Sequence, residues 1–374
     1  MGREFLEGNE AIARAAIKAK CDFFAGYPIT PSSSILHYML KWIPDNGGLA
    51  IQAEDEIASI GFCIGAAMTG RKVLTATSGP GLSLYSENIG LAIIGETPLV
   101  IVNIQRQGPA TGSATKGAEG DILFTRWVTS GGLPIIALSP ATVTEAYELT
   151  FKAFNFAEKY RSPVFVLSNK EIGVMKESVD LGKVNLPETI ERKKYNGDKN
   201  FQPYFFSKPE DIPQFANIGE EYITRFTTST HDKKAYLTTD PLLIQDMIDH
   251  YIAKIEGAAD DIILVKEDFE EGAKVLIISY GITSRSAAAA VKIARKNNIK
   301  ISSLVIQTLF PLPEKAINSA MNGIEKVIIP EMNMGQYRLE IERLINRKIN
   351  IIGVNKMDTT LISPQQILKK GEIL

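Results

Sequence analysis

The sequence predicts an α/β protein of two units. The larger is a parallel sheet covered on both faces, over residues 1–240; the smaller is an α/β unit over residues 260–374. Three observations carry this. Short apolar runs alternate with segments of helical periodicity from about residue 9 to residue 167, the pattern of strands joined by crossover helices. Pro98 to Ile104 is continuously apolar except for Asn103, as a strand buried on both faces requires. The alternation stops at about 170–240 and resumes near Gly272.

In chain order, residues 9–20 read as a helix. Ile12, Ala15, Ala16 and Ala19 form a small apolar face, and Arg14, Lys18 and Lys20 face solvent. Cys21 to Ala25 reads as a strand ended by Gly26-Tyr27-Pro28. Thr30 before Pro31 predicts a capped helix start running to about Leu40. Residues 54–69 read as an Ala- and Gly-rich helix that starts without a preceding strand. Val73 to Thr77 is a strand, Ser78-Gly79-Pro80-Gly81 a sharp turn, and 82–94 a helix. Strands at 98–104, 134–137 and 163–167 and a helix at 142–159 complete the larger unit.

Residues 180–215 are polar and proline-rich, with the run Glu191-Arg192-Lys193-Lys194, and read as a long surface connection at a domain junction. A helix follows at 241–257. The second unit then alternates regularly: strands at 274–279, 300–306, 325–330 and 350–353, with helices at 284–295, 314–321 and 335–346.

Composition narrows the function. Hydrophobic residues make up 45% of the 374 and charged residues 22%, enough apolar content for a large core without disulfides. Lys plus Arg is 41 against 43 Asp plus Glu, a net charge of −2, so nucleic acid is not the expected main partner. Cys21 and Cys63 stand apart in apolar surroundings, and His37, His231 and His250 lack ligand spacing, so no metal site of this chain's own is expected. No apolar run is long enough to predict a membrane span, and no secretion signal is read at the amino end. A Walker lysine, a G-x-G-x-x-G after the first strand and a G-x-S-x-G elbow are all absent.

What remains is a set of polar residues where strands end. Thr30 follows Gly26-Tyr27-Pro28-Ile29, and Arg106 follows the strand ending near Ile104; ligand crevices in parallel sheets lie beyond such carboxyl ends. Glu56, in Gln52-Ala53-Glu54-Asp55-Glu56, sits where a helix starts, a place where acids also serve as plain capping partners.

The segments Gly26-Tyr27-Pro28-Ile29-Thr30-Pro31, Glu54-Asp55-Glu56, Thr77-Ser78-Gly79-Pro80-Gly81 and Gln105-Arg106-Gln107-Gly108-Pro109-Ala110-Thr111-Gly112 follow one another in this order. With Thr230-His231-Asp232 and Glu331-Met332-Asn333-Met334-Gly335-Gln336, they make the whole chain resemble the alpha subunits of 2-oxoacid:ferredoxin oxidoreductases, most of all the 2-oxoglutarate branch. The resemblance implies a thiamine diphosphate-binding fold. Residues 1–240 would be its pyrimidine domain, and residues 260–374 a transketolase C-terminal-like domain.

It also implies an oxidative decarboxylase in the cytoplasm: 2-oxoglutarate and coenzyme A (CoA) give succinyl-CoA, CO2 and reduced ferredoxin. Branched-chain 2-oxoacids or pyruvate are the alternative substrates, and a non-catalytic partner that keeps the fold is the alternative role. The resemblance implies a beta subunit supplying the diphosphate and Mg2+ site and an iron–sulfur cluster, with gamma and delta subunits as further companions.

By the same resemblance Glu56 faces N1′ of the aminopyrimidine, where a carboxyl group promotes proton loss from thiazolium C2. Arg106 meets the substrate 1-carboxylate, Thr30 lies beside that carboxylate and the oxo group, and Tyr27, Pro28 and Ile29 contact the cofactor. Asp55 reads as a capping or surface group. The motif loop departs from the usual Arg-Gly-Gly-Pro-Ser-Thr-Gly. Lys116 and Arg126 are the candidates for a distal carboxylate, though the sequence places neither in the pocket.

Overall fold

The computed structural model describes residues 2–345 and 349–374; Met1 and the last residue of the helix expected at 335–346 lie outside them. The chain opens with β1 (Glu4–Glu7) and α1 (Gly8–Lys18), followed by β2 (Phe23–Gly26), α2 (Ser33–Asp45), β3 (Leu49–Gln52) and α3 (Glu56–Met68). Then come β4 (Val73–Thr77), α4 (Pro80–Leu84), α5 (Ser86–Ile94) and β5 (Leu99–Gln105). A long loop leads to α6 (Ile122–Arg126), β6 (Ile136–Leu138), α7 (Val143–Tyr160), β7 (Pro163–Asn169), α8 (Lys170–Val174) and β8 (Lys176–Val179). The remaining elements are α9 (Pro241–Glu256), α10 (Ala259–Ile262), β9 (Val265–Asp268), β10 (Val275–Ser279), α11 (Thr283–Lys296), β11 (Ile301–Ile306) and β12 (Thr308–Phe310). They end with α12 (Glu314–Ala320), β13 (Lys326–Glu331), α13 (Gln336–Leu344), β14 (Asn350–Asn355) and α14 (Pro364–Lys370).

The larger sheet has the order β12-β6-β7-β5-β4-β2-β3. Its strands are parallel from β6 to β3, and β12 is antiparallel at the edge. Every residue of β5 and β7 is buried, as their largely apolar runs demand. Each fully buried Val, Leu or Ile there contributes roughly 1.5–3 kcal/mol. The alanine face of α1 is fully buried and packs on α7, because side chains this small let the two helices approach closely. The smaller sheet has the order β14-β13-β10-β11-β9, parallel except for β9. The strand β12 leaves the second α/β stretch to pair with β6, so the two sheets share one length of chain.

Several expectations need correction. The helix after Thr30 begins at Ser33, and Thr30 does not cap it. Ser32 donates from both its N–H and its hydroxyl to Ile29 O at 2.9 Å, and Asn9 Nδ2 donates to Pro31 O at 2.8 Å, which holds this segment as a turn. Glu56 does follow a strand: β3 is a half-exposed edge strand of only four residues, Leu-Ala-Ile-Gln, paired with β2. The expected helix at 82–94 is divided at Tyr85, whose hydroxyl lies 2.7 Å from Thr75 Oγ1. The polar run at 191–194 hides one buried cation. Arg192 pairs with Glu158 at 2.7 Å and donates to Ala67 O and Arg71 O, pinning the long connection to the sheet domain. No helix among the described residues is long and apolar enough to cross a membrane.

Candidate active site

Four adjacent strands, β5-β4-β2-β3, deliver four segments to one end of the larger sheet. Arg106 follows β5, Ser78–Gly81 follow β4, Tyr27–Thr30 follow β2, and Glu56 lies beyond β3. Parallel pairing is what brings these carboxyl ends together.

Glu56 is the first residue of α3. Asp55 Oδ1 accepts the Ala58 N–H at 2.7 Å, so Asp55 takes the capping role and leaves the Glu56 carboxyl to face inward. Glu56 is buried, whereas Glu54 and Asp55 are exposed. A methyl group on Gly81 would stand 2.9 Å from Glu56 Oε1 and 2.1 Å from Thr77 Oγ1, so only glycine admits the carboxyl here. Gly79 has φ +40°, and the side chain of Arg106 passes over it.

Arg106 is buried at 6% exposure. Its Nη1 donates to Thr30 O at 2.6 Å, while its Nε finds no partner. Burial lowers its pKa, and the nearby carboxylates of Asp121 and Glu56 only partly oppose that. Asp121 is held by Asn103 Nδ2 at 2.9 Å, and its N–H donates to Gln105 Oε1 at 3.0 Å. Burial raises the Asp121 carboxyl despite Asn103 and Arg106. Tyr27, Pro28 and Thr30 form an exposed lip, with Ile29 half-buried. Thr77 Oγ1 and Ser78 Oγ are buried polar atoms with no protein partner, on the turn beside Glu56. Such a cleft has a carboxyl group, a guanidinium, bare glycine backbone and unused hydroxyls, which suits a polar heteroaromatic group beside a carboxylate.

The two distal candidates separate. Lys116 is exposed on the lobe after Arg106, whose base is closed by Gln107 N–H to Lys116 O at 2.9 Å. Arg126 stacks 4.1 Å over Trp127 and lines a different cleft with Phe310 and Arg343, so it is not brought to Arg106. Sequence reasoning gave no role to Asn9, Asp121 or Glu119. The first two act through neighbours of the motif residues, and Glu119 through contacts distant in sequence, so no local pattern marks any of them. Among the described residues, no group of three or more His, Cys, Asp or Glu side chains is arranged to hold a metal.

This fold and cleft define a thiamine diphosphate-binding domain joined to a transketolase-like C-terminal domain. Residues 14–247 match the family described as pyruvate flavodoxin/ferredoxin oxidoreductase, thiamine diphosphate-binding, and residues 273–367 match pyruvate:ferredoxin oxidoreductase core domain II. The 2-oxoglutarate synthase subunit KorA of Methanocaldococcus jannaschii is 41% identical over 97% of this chain and 98% of its own length. The ketoisovalerate oxidoreductase subunit VorB of Methanothermobacter thermautotrophicus is 32% identical over 99% of this chain and 97% of its own. A 2-oxoglutarate:ferredoxin oxidoreductase from Magnetococcus marinus, solved with 2-oxoglutarate, coenzyme A and succinyl-CoA bound, superposes with a TM-score of 0.91 at 29% identity; the match covers all of this chain and 65% of that one. A split-gene transketolase shares the fold alone, at a TM-score of 0.56 and 12% identity. The chain belongs to the pyruvate flavodoxin/ferredoxin oxidoreductase family, as the alpha subunit of a 2-oxoacid:ferredoxin oxidoreductase.

Proposed function

We propose that this chain forms the aminopyrimidine half of a shared thiamine diphosphate site in an enzyme that oxidatively decarboxylates 2-oxoglutarate. With CoA and oxidised ferredoxin, the products are succinyl-CoA, CO2 and reduced ferredoxin. The observation that carries the reading is that Glu56 and Arg106 meet at the turn of Gly79 and Gly81, with Arg106 also bonded to Thr30 O. The substrate assignment rests on the likeness to KorA subunits at 37–41% identity.

The residues present fit the cofactor. The glycine turn leaves room beside Glu56, and Thr77 and Ser78 offer unused hydroxyls. When bound, thiamine diphosphate supplies the nucleophile for the 2-oxo carbon and a sink for the electrons left as CO2 departs. Glu56 holds the proton at N1′, and Tyr27, Pro28 and Ile29 line the ring. Arg106 pairs with the 1-carboxylate through a planar fork, and Thr30 positions the carboxylate and oxo group.

The diphosphate and Mg2+ site and an iron–sulfur cluster belong, in this reading, to a beta subunit, with gamma and delta subunits completing the assembly. The surface of α3 supports a partner at this place. Ile57, Gly61, Phe62 and Gly65 are exposed on this helix, and no charged residue occurs from Ile57 to Gly70. The two buried, unpaired cysteines accord with a reducing cytoplasm.

The test is reconstitution with the beta-type chain, followed by kcat/KM for 2-oxoglutarate, pyruvate and 2-oxoisovalerate with CoA and ferredoxin. The expected order places 2-oxoglutarate first and leaves the single chain inactive. A preference for 2-oxoisovalerate reassigns the substrate, and full activity of the chain alone refutes the shared site.

A further inference from the structure

The loop after Arg106 is tied to the second α/β stretch by one residue. Glu119 is 1% exposed, and both its main chain and its side chain are engaged there. Its N–H donates to Met332 O at 3.0 Å, and its own O accepts from Asn333 Nδ2 at 2.7 Å. Its Oε1 accepts the Ile282 N–H at 2.9 Å, at the start of α11, and Asn169 Nδ2 at 3.3 Å. Gly281 has φ +52°, and a methyl group there would lie 2.0 Å from Glu119 Oε1, so the turn before α11 is shaped around this carboxyl. Gln336 adds a second tether, Nε2 to Gly120 O at 2.6 Å.

Two residues further on, Asp121 is locked to β5 by Gln105 and Asn103, and its charge acts on Arg106. Hydrogen bonds therefore run from the ends of β10 and β13 to Glu119, and the same loop places the Asp121 carboxylate where its charge acts on the guanidinium. Nothing in the chemistry assigned to Glu56, Thr30 and Arg106 uses Glu119.

We propose that Glu119 is a positioning residue for the oxoacid carboxylate: it fastens the 106–121 loop to the C-terminal unit, so that this unit sets where Arg106 stands. The inference rests on the reading of Arg106 as the carboxylate-binding residue. Burial pushes the Glu119 carboxyl up to about 8, with Glu331 adding repulsion and the Ile282 N–H only partly opposing. A neutral glutamine is therefore a close stand-in, and it retains an acceptor for Ile282.

The test uses the assembled enzyme and two readouts. Glu119→Ala is expected to raise KM for the oxoacid on the order of tenfold, the scale of a lost positioning contact. Amide exchange over residues 106–121 is expected to speed up, and hydrogen–deuterium exchange at thiamine C2 to stay unchanged. Glu119→Gln should restore KM and amide protection. Gln336→Ala, at a partly exposed side chain, should move both readouts the same way by less, and it decides the matter if Glu119→Ala does not assemble. Faster loop exchange with an unchanged KM overturns the proposal. So does a fall in C2 exchange equal to the loss of turnover, which marks general damage. If Arg106→Ala itself leaves KM unchanged, the carboxylate reading fails and the proposal falls with it, whereas a KM rise in Arg106→Ala alone overturns only the role of Glu119.

Discussion

Arg106 meets Thr30 through the main chain: its Nη1 donates to Thr30 O at 2.6 Å, and the threonine hydroxyl takes no part in that bond. The two residues lie 76 positions apart and are brought together by neighbouring loops after β5 and β2, with only β4 between those strands. The contact fixes one arm of the guanidinium and leaves Nε without a partner, in a buried place where an unpaired donor is costly.

The first prediction separates these two residues. Arg106→Ala should raise KM roughly 10–100-fold for 2-oxoglutarate, pyruvate and 2-oxoisovalerate alike, the scale of one charged hydrogen-bonded pair. Thr30→Val keeps the main-chain acceptor and should cost less. Steady-state kinetics of the assembled enzyme check both. An equal loss in the two variants would mean that Thr30 does more than hold the arginine.

Glu56→Gln should slow hydrogen–deuterium exchange at thiamine C2 by about 10²–10⁴-fold, the usual contribution of a positioned acid–base group. Glu54→Gln should leave it unchanged, because Glu54 is exposed. Asp55→Ala should instead weaken the start of α3 by about 1 kcal/mol, read from thermal unfolding, since it removes the bond to Ala58 N–H. Swapped behaviour of Glu54 and Glu56 would show the wrong carboxylate to be assigned.

Gly81→Ala probes the same carboxyl sterically. Its new methyl would press on Thr77 Oγ1 and Glu56 Oε1. C2 exchange should fall although every polar group is retained. Normal exchange in Gly81→Ala would mean that the turn yields and that the tight fit is not needed.

The chain itself already carried most of this. Alternating apolar runs marked β4, β5 and β7 and, in the smaller sheet, β10, β11, β13 and β14, because buried strands leave a strong local signal; β9 escaped, since Val-Lys-Glu-Asp is mostly charged and exposed. β3 escaped because it is only four residues long and half-exposed at the sheet edge, too short for a strand period to stand out. β12 is three residues long, and its partner β6 lies far back in the chain. Thr30-Pro31 resembled a helix start, yet Asn9, well upstream in sequence, holds Pro31 O and delays the helix to Ser33. Among the candidate site residues, Glu56 and Arg106 were singled out from their segments, whereas the contacts of Glu119 with Ile282 and Met332 are ones no local pattern reveals.

Acid stability should depend on a second buried group. Glu96 lies fully buried, with Lys254 Nζ 2.6 Å and His250 Nε2 3.2 Å away. Burial pushes its pKa up, but Lys254, His250 and Arg161 outweigh this and hold it far below the ordinary carboxylate value. Its folded pKa is therefore depressed, so its stabilisation is present above about 4.5 and is lost as pH falls below that. Glu96→Gln should flatten the loss of melting temperature in acid; an unchanged acid limb would mean that other carboxylates control it.

Glu119 acts with the opposite sign. Burial, together with the neighbouring Glu331, raises its folded pKa from 4.5 to about 8. Between those values the folded chain keeps a proton that the unfolded chain has released, so raising the pH favours unfolding. The contribution is complete below 4.5 and declines as pH rises towards about 8. Glu331 and Asp121 are also raised by burial, so the wild-type slope belongs to the group as a whole. The variant isolates one member. Glutamine cannot lose the proton, so Glu119→Gln should gain on the wild type steadily as pH rises from 4.5 to about 8, and the two should run in parallel below that window. Paired melting curves across this range measure the difference directly. A constant offset between the two proteins at every pH would mean that Glu119 is already ionised in the folded state, and its unpartnered Oε2 would then carry a buried charge with no cation near it.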